Sequence, residues 1–209
     1  MSYVFLDERT RPGAALLVSF HGTGASERQF AGLAAEVMPD AGHIAPRGDV
    51  IEHGALRFFR RKAEGVYDME DLAARTAAMA DFLATQKARL SPSRMVGLGY
   101  SNGANILASV LWAAPGLFDA AVLMHPLIPF RPAPASLAGL AVLVTAGRRD
   151  PICPPALTEA LAGHLRDDGA AVEVLWHEGG HELRPGELSA TAAFLAPSGP
   201  VTQGEARGG

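Results

Sequence analysis

Ser101, Asp150 and His181 have the side-chain chemistry of an activated nucleophile, its orienting acid and its base, and they occur in that order. Ser101 lies in Gly99-Tyr100-Ser101-Asn102-Gly103, a G-x-S-x-G pattern between the apolar run Met95-Val96-Gly97-Leu98 and a helix-forming segment. In that setting a serine occupies a strained strand-to-helix turn, and side chains at Gly99 and Gly103 would collide with the adjoining strand and helix. The strain holds the hydroxyl in the open, and the helix N-terminus behind it favours developing negative charge. A serine hydroxyl remains a weak nucleophile until a base takes its proton and a third group orients that base. Asp150 follows the run at 140–145 and the turn Ala146-Gly147-Arg148-Arg149; His181 follows the run at 171–176 and the turn Glu178-Gly179-Gly180. Both positions fall where parallel strands end, so the spacing predicts a triad for acyl transfer.

Attack on a carbonyl produces an oxyanion that requires preorganised N–H donors. Asn102, the residue after the serine, supplies one backbone donor. The run at 14–20 leads into His21-Gly22-Thr23-Gly24, whose glycines let the backbone approach the site, and Thr23 is the second expected donor. Rivals for the base and acid roles read as structural. His177 is still attached to a strand end, and His125 has only Asp119, ahead of its strand, as an acid between it and the serine. Asp167 and Asp168 close a helix as solvated charges, and Cys153 reads as a core thiol. His177-Glu178-Gly179-Gly180-His181 spells the H-E-x-x-H zinc pattern, which works only on a helix. Its two central glycines cost about 2 kcal/mol of helix propensity relative to alanine, so the segment is read as a turn with no metal. Neither G-x-G-x-x-G nor G-x-x-x-x-G-K-S/T is completed anywhere, which excludes dinucleotide and P-loop phosphate sites.

The elements that must position these residues follow from periodicity. Apolar strand-length runs at 14–20, 43–45, 95–98, 120–124, 140–145 and 171–176 alternate with helical segments at 27–37, 71–87, 102–113, 155–167 and 185–194. Nearly unbroken apolar strands alternating with helices predict an α/β fold with a mostly parallel central sheet covered on both faces. Leu72, Met79 and Leu83 form the apolar stripe of the second helix. Residues 47–68 carry no period, and a loop of that length is usually functional. It is expected to wall the cleft, with Phe58, Phe59 and Tyr67 apolar and Arg60 and Arg61 attracting a substrate carboxylate. The competing reading pairs those arginines with Glu64, Asp68 or Glu70.

The chain has 209 residues, 48% of them hydrophobic, enough for one sizeable core and one domain over residues 1–196. The last stretch, 197–209, holds four glycines and two prolines and is expected to be a disordered tail. The whole chain's 18 basic and 22 acidic residues leave a net charge of −4, without the basic face of a nucleic-acid binder. One cysteine cannot form an internal disulfide, and no run reaches the ~18 apolar residues of a membrane span. The N-terminus turns acidic at Asp7 and Glu8 before a signal-peptide apolar region can form. A soluble cytoplasmic protein without a membrane or nucleic-acid partner is expected.

On its motifs the sequence resembles the phospholipase/carboxylesterase group of α/β hydrolases, to which acyl-protein thioesterases also belong, over roughly residues 4–195. The likeness rests on His21-Gly22-Thr23-Gly24, Phe58-Phe59-Arg60-Arg61, Glu64-Gly65-Val66-Tyr67-Asp68, Gly99-Tyr100-Ser101-Asn102-Gly103-Ala104-Asn105, Asp150-Pro151-Ile152-Cys153-Pro154 and Gly180-His181. Phe58-Phe59-Arg60-Arg61 resembles a bacterial subgroup associated with hydroquinone and ring-cleavage dioxygenase pathways. The resemblance implies Ser101, Asp150 and His181 as triad, Thr23 and Asn102 as oxyanion donors, ester hydrolysis without a cofactor, and often a homodimer. Asn102 stands where acyl-protein thioesterases typically carry glutamine, a departure from that branch. The short chain leaves no room for an inserted cap domain, and an open cleft suits small esters. A serine carboxylesterase is therefore the leading expectation. The alternatives are a thioesterase or lysophospholipase-type acyl hydrolase with the same triad, and a non-catalytic ligand-binding module on the same fold.

Overall fold

The computed structural model describes residues 3–196, so the tail expected at 197–209 lies outside the described residues. In chain order the elements are β1 (Phe5–Glu8), β2 (Leu16–Phe20), α1 (Ala31–Val37), β3 (Gly42–Pro46), β4 (Val50–Glu52), β5 (Ala55–Arg57), β6 (Arg61–Ala63) and β7 (Val66–Tyr67). There follow α2 (Met69–Leu90), β8 (Met95–Tyr100), α3 (Asn102–Ala113), β9 (Ala120–Met124), β10 (Ala141–Gly147), α4 (Pro155–Asp167), β11 (Ala171–His177) and α5 (Pro185–Leu195). Seven strands form one sheet in the order β1-β3-β2-β8-β9-β10-β11, parallel throughout except for β1.

The sheet is covered on both faces, and side-chain alternation divides its strands between two cores. In β2, Leu16, Val18 and Phe20 join the core under α2, α3 and α4, while Leu17 joins the one under α1 and α5. Because both faces are dry, β2 and β9 are buried at every position, the near-continuous apolar runs seen in the sequence. Edge strand β11 is only partly buried. Leu72, Met79 and Leu83 are buried along α2, as their spacing requires. This helix starts where the Asp68 carboxylate accepts from the Asp71 N–H and stops at left-handed Ser91, φ 41°.

Three departures from the sequence reading have physical causes. The first helix begins at Ala31 rather than at 27, because the Glu27 carboxylate is drawn to Arg47 (2.6 Å) and the Gln29 side chain accepts from the Gly22 N–H. Strand β1 pairs antiparallel with β3 as a half-buried edge, too short to show a period. Residues 47–68 are not an irregular loop: β4 pairs with β5 and β6 with β7 as two antiparallel ribbons. Strands of two or three residues leave no period to read. Among the described residues the other connections carry no strand or helix of their own, and no helix is long and apolar enough to cross a membrane.

Candidate active site

The register of β2 against β8, with Phe20 opposite Gly99, brings both strand ends to one edge of the sheet. There the chain reverses from β8 into α3 through Ser101, whose backbone sits at φ 52°, ψ −118°. A serine in this region is strained by about 1–3 kcal/mol and persists only because its surroundings fix it. Two glycines permit the turn. A Cβ on Gly99 would lie 2.6 Å from the Gly103 carbonyl oxygen, and one on Gly103 would lie 2.2 Å from that of Phe20. Helix and strand are too close for any side chain between them.

The structure brings the three expected residues together. Ser101 Oγ lies 2.9 Å from His181 Nε2, and His181 Nδ1 lies 2.7 Å from Asp150 Oδ2. With Nδ1 facing a carboxylate the ring proton sits there, which leaves Nε2 to accept from the serine hydroxyl. Asp150 is buried, and burial alone would favour its neutral form. The N–H groups of Cys153 and Ile152 on Oδ1 (3.0 and 2.8 Å), with the His125 and His181 rings on Oδ2, outweigh that and hold its carboxyl below the usual range. The loop carrying His181 is tied down by the Tyr100 hydroxyl, which donates to the His181 carbonyl at 2.7 Å. Burial pushes the Tyr100 hydroxyl up to about 12, so it keeps its proton and this bond.

Thr23 lines the same cleft as Ser101, from the loop after β2. His21 fixes that loop. Its Nε2 accepts from the Gly48 N–H at 2.9 Å and its Nδ1 donates to the Gly22 carbonyl at 2.8 Å, a neutral ring that burial keeps below its ordinary pKa. Arg57 donates to Thr23 Oγ1 at 2.9 Å. The backbone N–H groups of Thr23 and Asn102 have no protein acceptor among the described residues. Both remain available to an oxyanion.

The expected cleft wall is corrected. Phe58 and Phe59 are 1% and 0% exposed and belong to the core, Phe58 against Phe20 and His21, Phe59 against Tyr67. Burying each ring stabilises the fold by about 1.5–3 kcal/mol, which a place on the cleft wall would forgo. Arg60 is exposed, its backbone N–H bonded to Asp71, and it does not line the cleft. The cleft of about 260 Å³ is lined instead by Arg57 and Arg61, with Tyr67, Leu127 and Ile152 beside Ser101 and His181. Arg61 pairs with Glu64, one of the three acids of the pairing alternative, and with Glu52, which that alternative does not include.

The sequence reading missed three polar supports. The Asn102 side chain accepts from the Phe58 N–H at 2.8 Å and so fastens the ribbon segment to the elbow. Asn105 accepts from the Leu127 N–H and donates to the Tyr67 hydroxyl. His125 and Glu187 are buried beside Asp150. The motif already contains the two asparagines; the sequence offers His125 only as a rival base, and nothing in it marks Glu187.

Two groups bring three possible metal ligands within 4.8 Å: His125, His177 and Glu187, and His125, Asp150 and His181. Both are knit as hydrogen-bonded sets. The Gly179 N–H donates to His177 Nδ1, which leaves the ring proton on Nε2, the atom that would have to ligate. His177 itself ends β11, and the HEGGH segment runs on as a turn rather than a helix.

The strand order, the strained serine at a strand-to-helix elbow and the absence of a cap among the described residues define an α/β hydrolase. More particularly, the Dienelactone hydrolase family profile matches residues 40–182, and the chain belongs to that family. It is 41% identical over 171 residues to the putative hydrolase MhqD of Bacillus subtilis (strain 168), covering 80% of this chain and 86% of that protein. Among solved structures it is similar to a protein of unknown function from Agrobacterium tumefaciens str. C58, with 52% identity and a TM-score of 0.89 over 92% of this chain and 95% of that one. It is also similar to the Bacillus cereus carboxylesterase, with 39% identity and a TM-score of 0.85 over 93% of each chain. These relatives agree with the phospholipase/carboxylesterase resemblance of the motifs, and the protein is a hydrolase.

Proposed function

We propose that this hydrolase is a serine carboxylesterase of small or short-chain esters, working through an acyl-enzyme. The observation that carries the reading is the unbroken relay from Ser101 Oγ through His181 to Asp150, opening onto a small cleft. Ser101 Oγ attacks the ester carbonyl carbon while His181 Nε2 takes its proton. The carbonyl electron pair moves onto oxygen, received by the N–H groups of Thr23 and Asn102. Collapse expels the alcohol, which leaves with the proton from His181. Water then gives a proton to the same nitrogen and attacks the acyl carbon, and Ser101 departs reprotonated. Throughout, Asp150 fixes the ring and balances its charge.

Leu127, Ile152 and Tyr100 offer apolar wall for the acyl group. Each covered methylene stabilises binding by about 0.8 kcal/mol, and a cleft of about 260 Å³ runs out of wall quickly. The carboxylesterase among the relatives supports an ester as the substrate. The test is a panel of p-nitrophenyl esters and matched thioesters on the wild type and on Ser101→Ala. Activity should peak at acyl chains of roughly two to six carbons, and the variant should lose about a million-fold in kcat while remaining folded. Substantial activity in Ser101→Ala removes the mechanism. A steady rise to palmitate-length chains, or preference for the thioester, transfers the assignment to a lipase or thioesterase.

A further inference from the structure

His125 is fully buried at the end of β9, and each of its ring nitrogens faces a carboxylate. Nδ1 lies 2.9 Å from Asp150 Oδ2, the oxygen that also serves His181, and Nε2 lies 3.1 Å from Glu187 Oε1 on α5. The remaining neighbours can be followed element by element. At the end of β11, His177 Nε2 lies 3.3 Å from Glu187 Oε2 and 3.4 Å from His125 Nε2, and at the end of β8 the Tyr100 ring stands edge-on at 5.9 Å. From β10, Thr145 donates to Glu187 Oε1 at 2.6 Å, and from the loop beyond it Cys153 Sγ donates to the His125 carbonyl. The His181 ring is 5.2 Å away.

The partners of the two acids bear on the charge of the ring. Asp150 Oδ1 accepts from two backbone N–H groups and Oδ2 faces two imidazole nitrogens. Glu187 Oε1 faces Thr145 and His125, and Oε2 faces the Arg184 N–H and His177. Burial would raise both carboxyls, but the hydrogen bonds they accept outweigh it and hold Asp150 and Glu187 below the usual range, so both stand as carboxylates. A neutral His125 would turn a lone pair onto one of them. That lone pair could accept from His177 Nε2 at 3.4 Å, but it would still face Glu187 Oε1 at the shorter 3.1 Å, whereas a ring protonated on both nitrogens donates to both carboxylates. Burial opposes that charge, but the bonds to Glu187 and Asp150 outweigh it and hold His125 above its ordinary pKa. The residue sits at φ 50°, with its N–H bonded to the Thr145 carbonyl at 2.8 Å. As at Ser101, strain marks a side chain whose direction is fixed.

We propose that His125 is a buried imidazolium clamped between Asp150 and Glu187, acting through Asp150 as a positioning residue for His181. The inference rests on the serine-hydrolase reading above for its consequence, but not for its geometry. By sharing Oδ2, the cation fixes that carboxylate from its buried side and offsets part of the negative charge that draws a proton onto His181.

Nitrogen-15 NMR of histidine-labelled protein near pH 8, above the ~6.5 of free histidine, reads the charge directly. His125 should show both ring nitrogens protonated there, assigned by its disappearance in His125→Gln. Glu187→Gln should cost the ring its second proton. In p-nitrophenyl acetate hydrolysis, the acid limb of the kcat/KM profile should move up by about one pH unit in His125→Gln, and by less in Glu187→Gln. At about pH 6 that is close to a tenfold loss, larger than the loss on the alkaline plateau. A neutral His125 ring near pH 8 in the wild type overturns the proposal, and so does an acid limb that stays in place. If His125→Gln does not fold, the same readings on Glu187→Gln decide. Failure of the serine reading would show separately as activity surviving Ser101→Ala, whereas the charge of the ring is read without turnover.

Discussion

The groove between α2, α3 and residues 128–133 encloses about 490 Å³, against about 260 Å³ for the cleft at Ser101. Leu72, Trp112, Ile128 and Phe130 wall the groove, and Asp81 is its one titratable lining group among the described residues. The cleft gathers a nucleophile, an imidazole, two guanidiniums and unpaired backbone donors in a smaller space. Helix flanks open apolar volume wherever their side chains are small, as at Ala73, Ala77 and Ala80 of α2. Polar donors converge only where parallel strands stop bonding to one another and their loops begin. Volume and chemistry have separate origins in this fold.

The sharpest way to break that contrast is at the relay. Asp150→Asn preserves shape but reverses the ring tautomer of His181, and kcat on p-nitrophenyl acetate should fall about 10⁴-fold with the circular dichroism spectrum unchanged. A loss under tenfold would deny the cleft its chemical privilege. A smaller effect, on stability rather than rate, is expected from Phe59→Ala. Deleting a fully buried ring should lower unfolding free energy in urea by roughly 3–5 kcal/mol, with KM for the acetate ester unchanged in the folded fraction. A changed KM with little loss of stability would return Phe59 to the cleft wall. The smallest effect belongs to the groove. Ala77→Arg places a charge on its exposed lining and should leave kcat/KM within about twofold across the ester panel. Selective loss on long acyl chains would show that the groove receives substrate after all.

How much of this was legible in the sequence depended on how local the signal was. The elbow was readable because both glycines answer to contacts within five residues of Ser101 or with the strand beside it. Asp150 and His181 were placed by a rule of strand ends rather than by any property of their own neighbours. Helices at 102–113 and 155–167 have the expected limits, since α3 and α4 are long enough to carry a period. The ribbons β4 to β7 are not: of the residues expected on the wall, Tyr67 and Arg61 line the cleft, Phe58 and Phe59 are core, Arg60 does not line the cleft, and Arg57 joins it unannounced. His125 was weighed as a rival base and set aside. It proves to lie on the far side of the same carboxylate, a position that depends on Glu187, 62 residues later. No spacing rule connects residues that meet only after the sheet has closed.

The 80 residues between Ser101 and its partner base also bear on biosynthesis. A chain emerging from the ribosome presents the serine long before the imidazole, and Glu187 appears later still. Until β11 docks against β10, the hydroxyl has no acceptor at Nε2 and keeps the low reactivity of an ordinary alcohol. On the proposed mechanism, nascent and misfolded chains are therefore chemically silent toward the esters around them. Reactivity arrives in one step, with the closing of the sheet.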